Sequence, residues 1–322
     1  MLQPKYVLLL LGLLSTPLSY CQFTDVINSN RPGESQSAFS VGLSVIQAEL
    51  GFYAIQEEHE HLQYESAGVG SDLSIRYGAF FNELEVMLDL QYQSDVMKTG
   101  SQSFRRAAFK QTTVGAKYLL FDPAKRPERK PDLKSWKANH RFSWKNFIPA
   151  VAVYAGLNIN LSNNEFSFPL DPKFTPKFML MTQNQFGKWV LVTNIISDKM
   201  TTNYPTLGYV VTVTRGFNDR WSAFVENQGF QSDFYADGIV RGGAAWLLKE
   251  NIQLDASIGT SLKTTPSQLA GGMGISWRFD DNYEEVLHRL PGDDSKKKKG
   301  DKDAKKGKKR KDQVETEETD LP

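Results

Sequence analysis

The chain has 322 residues, a formal net charge of +1 at pH 7 and a single cysteine, Cys21. One cysteine excludes an internal disulfide and a site built from several thiolates. The near-neutral total conceals a local asymmetry, because lysine is concentrated close to the C-terminus.

Residues 1–21 have the features of a secretory signal peptide. Lys5 is a short basic start, residues 7–14 are mostly apolar, and Ser19 and Cys21 are small residues before a cleavage site. Lipidation of Cys21 is the alternative, but it needs a small residue where Tyr20 stands, so cleavage is favoured. No other apolar run reaches the ~18 residues of a membrane helix. We predict that residues 22–43 form an N-terminal periplasmic segment.

Apolar and polar residues then alternate in twelve segments. The clearest is Leu84–Tyr92, in which apolar even-numbered residues oppose Glu85, Met87, Asp89 and Gln91. Side chains alternate across a strand, so each segment has one apolar and one polar face. The predicted strands are Ser44–Ala54, Val69–Tyr77, Leu84–Tyr92, Thr112–Leu120, Ile148–Asn158, Lys177–Phe186, Trp189–Ser197, Leu207–Thr214, Arg220–Gln228, Gly238–Leu248, Asn251–Ser261 and Leu269–Phe279.

This pattern predicts an all-β fold, an antiparallel transmembrane β-barrel of about 12 strands over residues 44–279, in the outer membrane of a Gram-negative cell. Most segments have the ~9–11 residues of a tilted membrane strand. The apolar faces would contact lipid and the polar faces a lumen. Aromatic residues near the strand ends are expected to form an interfacial girdle; they are Tyr118, Trp189, Trp221, Trp246, Trp277 and Phe279.

The connectors alternate in length. Those after the second, sixth, eighth and tenth strands are short, whereas residues 94–103, 161–172, 198–206 and 229–237 form long ones. Barrels have short periplasmic turns and long outer loops, so both termini are predicted to be periplasmic. Residues 122–146 break the rule with a long basic connector. It is either an insertion with a function or a misassigned pair of strands.

Two charged regions lie beside the predicted barrel. Residues 280–322 are lysine-rich with almost no apolar residue, so we predict a disordered periplasmic tail. The tail either aids solubility or, with the 122–146 insertion, binds anionic lipid or an acidic periplasmic partner. Nucleic acid is not an expected partner of an exported protein. Candidate binding residues are Arg126, Arg129, Lys130, Lys296, Lys297, Lys298, Lys299, Lys308, Lys309 and Arg310.

Charged residues fall on the predicted lumen side of the strands. They are Glu49, Asp72, Arg76, Glu83, Glu85, Asp89, Lys117, Glu226, Asp255 and Arg278. Isolated buried charges are costly, so these groups are expected to pair. They form either a structural network that partly plugs the lumen or the lining of a solute path. Phe279 ends the last strand and is the candidate signal for the barrel-assembly machinery.

Neither a metal site nor a catalytic site is predicted. Residues 57–61 combine carboxylates with His59 and His61, types that suit zinc or copper. A solvated acidic loop explains them as well, since a tetrahedral site usually needs ligands from a second element. The chain lacks Gly-x-Ser-x-Gly, His-Glu-x-x-His and a phosphate-binding glycine loop. We therefore expect no cofactor and no enzymatic activity.

Several motifs resemble the outer-membrane transporter family named for the meta-pathway of phenol degradation. In that family an Arg-Pro element precedes a first strand with a Gln-x-Glu-x-Gly-Phe core. Here residues 30–32 contain the Arg-Pro element, and residues 47–52 match the core of the strand. Residues 114–118, 224–226 and 242–259 resemble its later strands, so the resemblance covers about residues 30–279. Departures are Asn30 in place of the common aspartate, the insertion and the tail.

The resemblance implies an outer-membrane barrel for passive transport of small, hydrophobic or aromatic molecules. The alternative is a non-enzymatic accessory subunit of a larger outer-membrane complex, which would dock periplasmic partners through the basic insertion and the tail.

Overall fold

Twelve antiparallel strands close into one barrel, which confirms the predicted fold class and strand number. The computed structural model describes residues 27, 29–123, 147–161, 164–167, 171–233 and 235–279. The strands are β1 (Ile46–His59), β2 (Tyr64–Gly78), β3 (Leu84–Thr99), β4 (Gln102–Phe121), β5 (Ala150–Ile159), β6 (Phe174–Phe186), β7 (Trp189–Asp198), β8 (Thr206–Gly216), β9 (Trp221–Gln231), β10 (Ala236–Lys249), β11 (Ile252–Ser261) and β12 (Ser267–Phe279). Each pairs with its neighbours in sequence, and β1 closes on β12 from Ile46↔Phe279 to Glu58↔Ser267.

The two faces of the wall differ as the alternation predicts. In β3, Glu85 and Met87 are 0% and 1% exposed, whereas Val86 and Tyr92 are 38% and 39% exposed. A side chain buried in a single closed wall points into the barrel, so the odd residues of β3 face inward. Large apolar side chains on the opposite face of the strands remain exposed, among them Phe52, Val114, Leu207, Ile258 and Met273. This outer surface is suited to hydrocarbon rather than to water.

Two connectors predicted to be long are short. β3 and β4 continue to Thr99 and Gln102, which pair with each other, so the connector expected over residues 94–103 is a tight turn. Gly100 there has a φ of 59°, a conformation that glycine adopts without steric cost. Likewise, the connector between β9 and β10 consists of residues 232–235, whereas the sequence predicted residues 229–237. The prediction was wrong because outward residues near these tips are polar, and alternation disappears although pairing continues.

The barrel has two rims. The terminal rim carries the start of β1, the end of β12 and the turns at residues 79–83, 187–188, 217–220 and 250–251. The loop rim carries the connectors at residues 60–63, 100–101, 160–173, 199–205, 232–235 and 262–266. The aromatic residues expected to form a girdle all lie on the outer face near the terminal rim, where Trp221 stacks on Trp246 at 5.7 Å between ring centroids.

Among the residues described, no helix is long and apolar enough to cross a bilayer. The predicted signal peptide (1–21), all of the basic insertion except Asp122 and Pro123, and the predicted tail (280–322) lie outside the described residues. Their assignments stay predictions, as do the candidate binding residues within them.

Candidate functional site in the barrel interior

The barrel interior contains residues 29–41, which we call the inner segment. We expected residues 22–43 to be a periplasmic segment, but the structure places this part against inward-facing side chains of the wall. Its backbone binds two carboxylates on well-separated strands of the barrel: Glu49 on β1 and Glu226 on β9. Backbone N–H groups pair with any suitable carboxylate, so a segment without alternation or helical periodicity can be fixed in this way.

Glu49 fixes the start of the inner segment. Its carboxylate accepts hydrogen bonds from the backbone nitrogens of Asn30, at 3.1 Å, and Arg31, at 3.2 Å, and from the Ser29 hydroxyl, at 3.1 Å. The Ser29 hydroxyl also lies 2.6 Å from that of Ser276 on β12. The segment is therefore attached where the first and last strands meet.

Arg31 is the main ionic contact of the inner segment. Its guanidinium donates to both carboxylate oxygens of Asp255 on β11, at 3.2 and 3.3 Å, and forms an ion pair with Asp72 on β2. Gly51 and Gly274 lie beside it, and a Cβ on either would collide with the guanidinium. A side chain at either of these wall positions would displace the guanidinium from its present place.

Glu226 fixes the middle of the segment. It accepts hydrogen bonds from the backbone nitrogens of Glu34, at 3.1 Å, and Ser35, at 3.2 Å, and from the Thr212 hydroxyl at 2.7 Å. Arg241 on β10 neutralises this buried carboxylate through an ion pair. A fully buried acid is stable here because each of its contacts is a donor or a cation.

The end of the segment binds a buried ionic cluster. Lys117 on β4 donates to the carbonyl oxygens of Ser37, at 3.1 Å, and Phe39, at 2.9 Å, and lies 3.2 Å from Glu85. Arg76 bridges the cluster, with Nε 2.7 Å from Glu85 and Nη1 3.0 Å from Glu49. Arg76, Lys117 and Glu85 have no exposed surface. The cluster therefore joins the wall and the inner segment into one network.

Two wall amides that sequence reasoning missed complete the attachment. Asn194 on β7 accepts from the backbone nitrogen of Gln36 at 2.6 Å and donates to its carbonyl oxygen at 2.8 Å. Gln183 on β6 accepts from the Ser37 hydroxyl at 2.8 Å and from the backbone nitrogen of Ala38 at 3.1 Å. One indication of Asn194 was present in the sequence: it continues the inward face of β7 after Val190 and Val192, where an apolar residue would be expected.

The remaining predicted interior residues lie elsewhere. Asp89 faces inward and accepts from the Ser74 hydroxyl at 2.6 Å, and Arg278 is buried near the end of β12. Glu83 lies in the turn after β2 rather than on a strand, where its carbonyl accepts from the backbone of Leu119. Phe279 ends β12 on the outer face, with its ring 4.3 Å from that of Trp277.

A cavity of about 630 Å³ lies between the inner segment and the wall formed by β6–β11. Its lining at the level of the segment includes the uncharged wall residues Val190, Val192, Thr214, Phe224 and Ala245. The charged lining residues are Arg31 of the inner segment and, near the mouth at the terminal rim, Lys188, Asp219, Arg220, Lys249 and Glu250. We call this side of the interior, which contains the open space, the neutral side, because the wall residues that line it away from the mouth are uncharged.

At the loop rim, Asp171 joins two connectors. It accepts from Lys199 Nζ at 2.6 Å and from the Tyr204 hydroxyl at 2.9 Å, which links the connector after β5 to the one after β7. Burial alone would raise the pKa of Asp171, but the hydrogen bonds from Lys199 and Tyr204 hold the pKa below its ordinary value. The carboxylate therefore stays ionised and the contact persists at neutral pH.

The candidate metal residues at the loop rim do not converge into a site. The His59 and His61 rings are 6.3 Å apart, and His59 Nδ1 accepts from the backbone of Leu62. Within the described part of the chain, no group of three His, Cys, Asp or Glu side chains could hold a metal ion.

Comparison with known proteins agrees with the barrel. The sequence model of the family described as "Putative MetA-pathway of phenol degradation" matches residues 29–279. The match therefore includes the inner segment as well as all twelve strands. A comparison with curated proteins found no match.

Solved outer-membrane barrels share the architecture. The COG4313 outer membrane channel from Pseudomonas putida F1 is 10% identical, with a TM-score of 0.52 over 79% of this chain and 100% of that one. The KdgM porin in complex with disordered oligogalacturonate is 11% identical, with a TM-score of 0.42 over 72% and 99%. The CymD monoaromatic hydrocarbon channel is 10% identical, with a TM-score of 0.40 over 74% and 89%. At such identities the first similarity establishes the fold, which is that of an outer-membrane β-barrel.

Proposed function

This chain belongs to the family described as "Putative MetA-pathway of phenol degradation", and we propose that it is a passive outer-membrane channel for small molecules, narrowed by its inner segment. The observation that carries the proposal is the division of the interior. Residues 29–41 bind inward-facing side chains around the barrel, yet a cavity of about 630 Å³ remains beside them. A barrel that served only as a scaffold would have no need of such a space.

The solute path would run along the neutral side of the interior. Val190, Val192, Phe224 and Ala245 supply apolar surface there, and Thr214 supplies a hydroxyl group. A path of this kind favours small solutes that carry few charges, including aromatic ones, because a charged solute would lose hydration without gaining a partner. The family description, which refers to phenol, agrees with this solute class.

The interior charges would act mainly as a scaffold in this channel. Glu49, Arg76, Glu85 and Lys117 are satisfied by each other and by the inner segment. The channel would perform no chemistry and bind no cofactor.

We further propose that the terminal rim faces the periplasm. Its turns after β2, β6, β8 and β10 are short, whereas the loop rim carries the 160–173 and 199–205 connectors. Both termini would then be periplasmic, and Phe279, at the end of β12, would be read by the barrel-assembly machinery. The barrel would be surrounded by outer-membrane lipid, and the basic insertion and tail would meet acidic periplasmic partners.

Obstructing the cavity is expected to close the channel. Ala245 faces inward into the cavity, whereas its neighbour Ala244 faces outward from the same strand. In Ala245→Trp the indole would fill space beside Phe224, so we expect the solute flux into proteoliposomes to fall at least about fivefold. Liposome swelling with uncharged solutes of increasing size measures this flux.

Ala244→Trp is the matched control, because it adds the same side chain to the lipid-facing side and should leave the flux unchanged. Equal flux in both variants and the native protein would contradict a path through the cavity. Absence of flux in the native protein would instead favour the accessory-subunit alternative.

A further inference from the structure

We propose that Arg215 and Lys188 form a binding site for the phosphate of an anionic glycerophospholipid, on the outer face of the barrel at the terminal rim. Arg215 faces away from the channel interior, whereas Lys188 also borders the mouth of the cavity. The proposed site does not depend on the proposed transport function. It is built on the short turns after β6 and β8, where two cations lie next to a cluster of aromatic rings.

Arg215 occupies an unusual position for a charged residue. It pairs with Trp189 across β7 and β8, and both side chains face outward, where most of the wall is apolar. Its guanidinium carbon lies 4.9 Å from the centroid of the Trp189 ring and 5.5 Å from that of Phe217. The two rings therefore hold the guanidinium at the membrane-facing surface through cation–π contacts.

The guanidinium has no acceptor in the part of the chain that the structure describes. Among the described residues, no carboxylate pairs with it, and no carbonyl or hydroxyl oxygen accepts its N–H groups. Arginine presents five N–H donors in a planar fork that matches a phosphate, and a cation at a lipid-facing position needs an anion or water. A lipid phosphate meets this need because it lies at the same depth as interfacial aromatic rings.

Lys188 provides a second cation for the same anion. It lies in the two-residue turn between β6 and β7, and its Nζ is 3.5 Å from the carbonyl oxygen of Phe217. Arg215 thus contacts the ring of Phe217, and Lys188 contacts its backbone carbonyl. The Trp189, Trp221 and Trp246 rings continue the apolar surface on which acyl chains would pack. The arrangement suits a headgroup with one negative phosphate above two acyl chains.

The test is native mass spectrometry of the detergent-solubilised full chain, titrated with phosphatidylglycerol or with phosphatidylcholine. We expect the native protein to retain phosphatidylglycerol in preference to phosphatidylcholine. Arg215→Gln should weaken this retention at least about fivefold, and Lys188→Gln should weaken it less, because it removes a point charge but not the guanidinium fork. Heat-modifiable gel migration would show that each variant is folded.

Arg105→Gln is the matched control, since Arg105 lies near the tip of the β3–β4 hairpin at the opposite rim. Among the described residues, its guanidinium hydrogen-bonds only to the Ser94 hydroxyl, at 3.4 Å. This variant should retain phosphatidylglycerol as the native protein does. Equal retention of the two lipids by the native protein, or unchanged retention in folded Arg215→Gln, would overturn the proposal. A change in channel activity in Lys188→Gln alone would not overturn it, because Lys188 also borders the mouth of the cavity.

Discussion

Deletion of residues 29–41 is expected to raise the single-channel conductance of the reconstituted barrel several-fold. The inner segment crosses the interior between β1 and β9 and contacts ten of the twelve strands through hydrogen bonds or ion pairs. Its removal would leave a hydrated lumen lined by charged groups, and current through a barrel increases with its open cross-section. Planar-bilayer recordings in salt solution would measure the change.

A milder variant distinguishes an open lumen from a collapsed barrel. Arg31→Gln removes the ion pairs to Asp72 and Asp255 but keeps the segment, so we expect brief high-conductance openings rather than a permanent increase. Arg105→Gln, on the outer face, is the control and should behave as the native protein. Unchanged conductance in a folded deletion variant would show that the inner segment does not limit the current.

Arg76→Met is expected to lower the free energy of unfolding by about 3 kcal/mol, the lower end of the effect of removing one partner from a buried ion pair. Arg76 is fully buried and binds both Glu85 and Glu49, so its loss leaves two buried carboxylates with fewer donors. Methionine keeps much of the side-chain volume, which limits any contribution from a cavity. Urea unfolding in lipid vesicles, followed by tryptophan fluorescence, measures the difference.

The matched substitution Arg105→Met should change the stability by less than about 0.5 kcal/mol, because Arg105 is exposed and forms no ion pair among the described residues. Similar losses in the two variants would mean that the buried cluster has no special role. A loss in Arg76→Met accompanied by higher conductance would show that the cluster also holds the inner segment, as its contacts through Glu49 suggest.

The strands of the barrel wall could be predicted from the sequence because each strand shows its two environments in its own alternation of apolar and polar residues. A strand between lipid and lumen must alternate, and residues 84–92 do so with Met87 as the single apolar residue on the inward face. Where a strand extends beyond the hydrocarbon layer of the membrane, its outward residues no longer need to be apolar. The tips of β3 and β4 continue as strands although outward residues such as Lys98 and Ser103 are polar, so their sequence resembles a loop.

The inner segment could not be predicted in the same way. Its contacts are mostly made by backbone N–H and C=O groups, which every residue other than proline carries, so they leave no pattern in the sequence. The inward acids were identified, but they were expected to pair only with basic residues of the wall. In the structure Glu49 and Glu226 also accept from backbone nitrogens of the segment. Arg31 was identified from the sequence only as part of a family motif, without a predicted contact in the barrel.

An engineered disulfide would show whether residues 29–41 lie inside the barrel. The hydroxyl oxygens of Ser29 and Ser276 are 2.6 Å apart, so cysteines at both positions would bring their sulfurs within bonding distance after a small adjustment. The double variant Ser29→Cys, Ser276→Cys is made in a Cys21→Ser background and oxidised in isolated outer membranes. Mass spectrometry of the digested protein then detects the linked peptides.

We expect a disulfide in most molecules of this variant. We expect none in the control Ser29→Cys, Ser257→Cys, since no hydrogen bond joins Ser257 on β11 to Ser29. Free thiols in the first variant, or equal linkage in both, would contradict an inner segment fixed at the junction of β1 and β12.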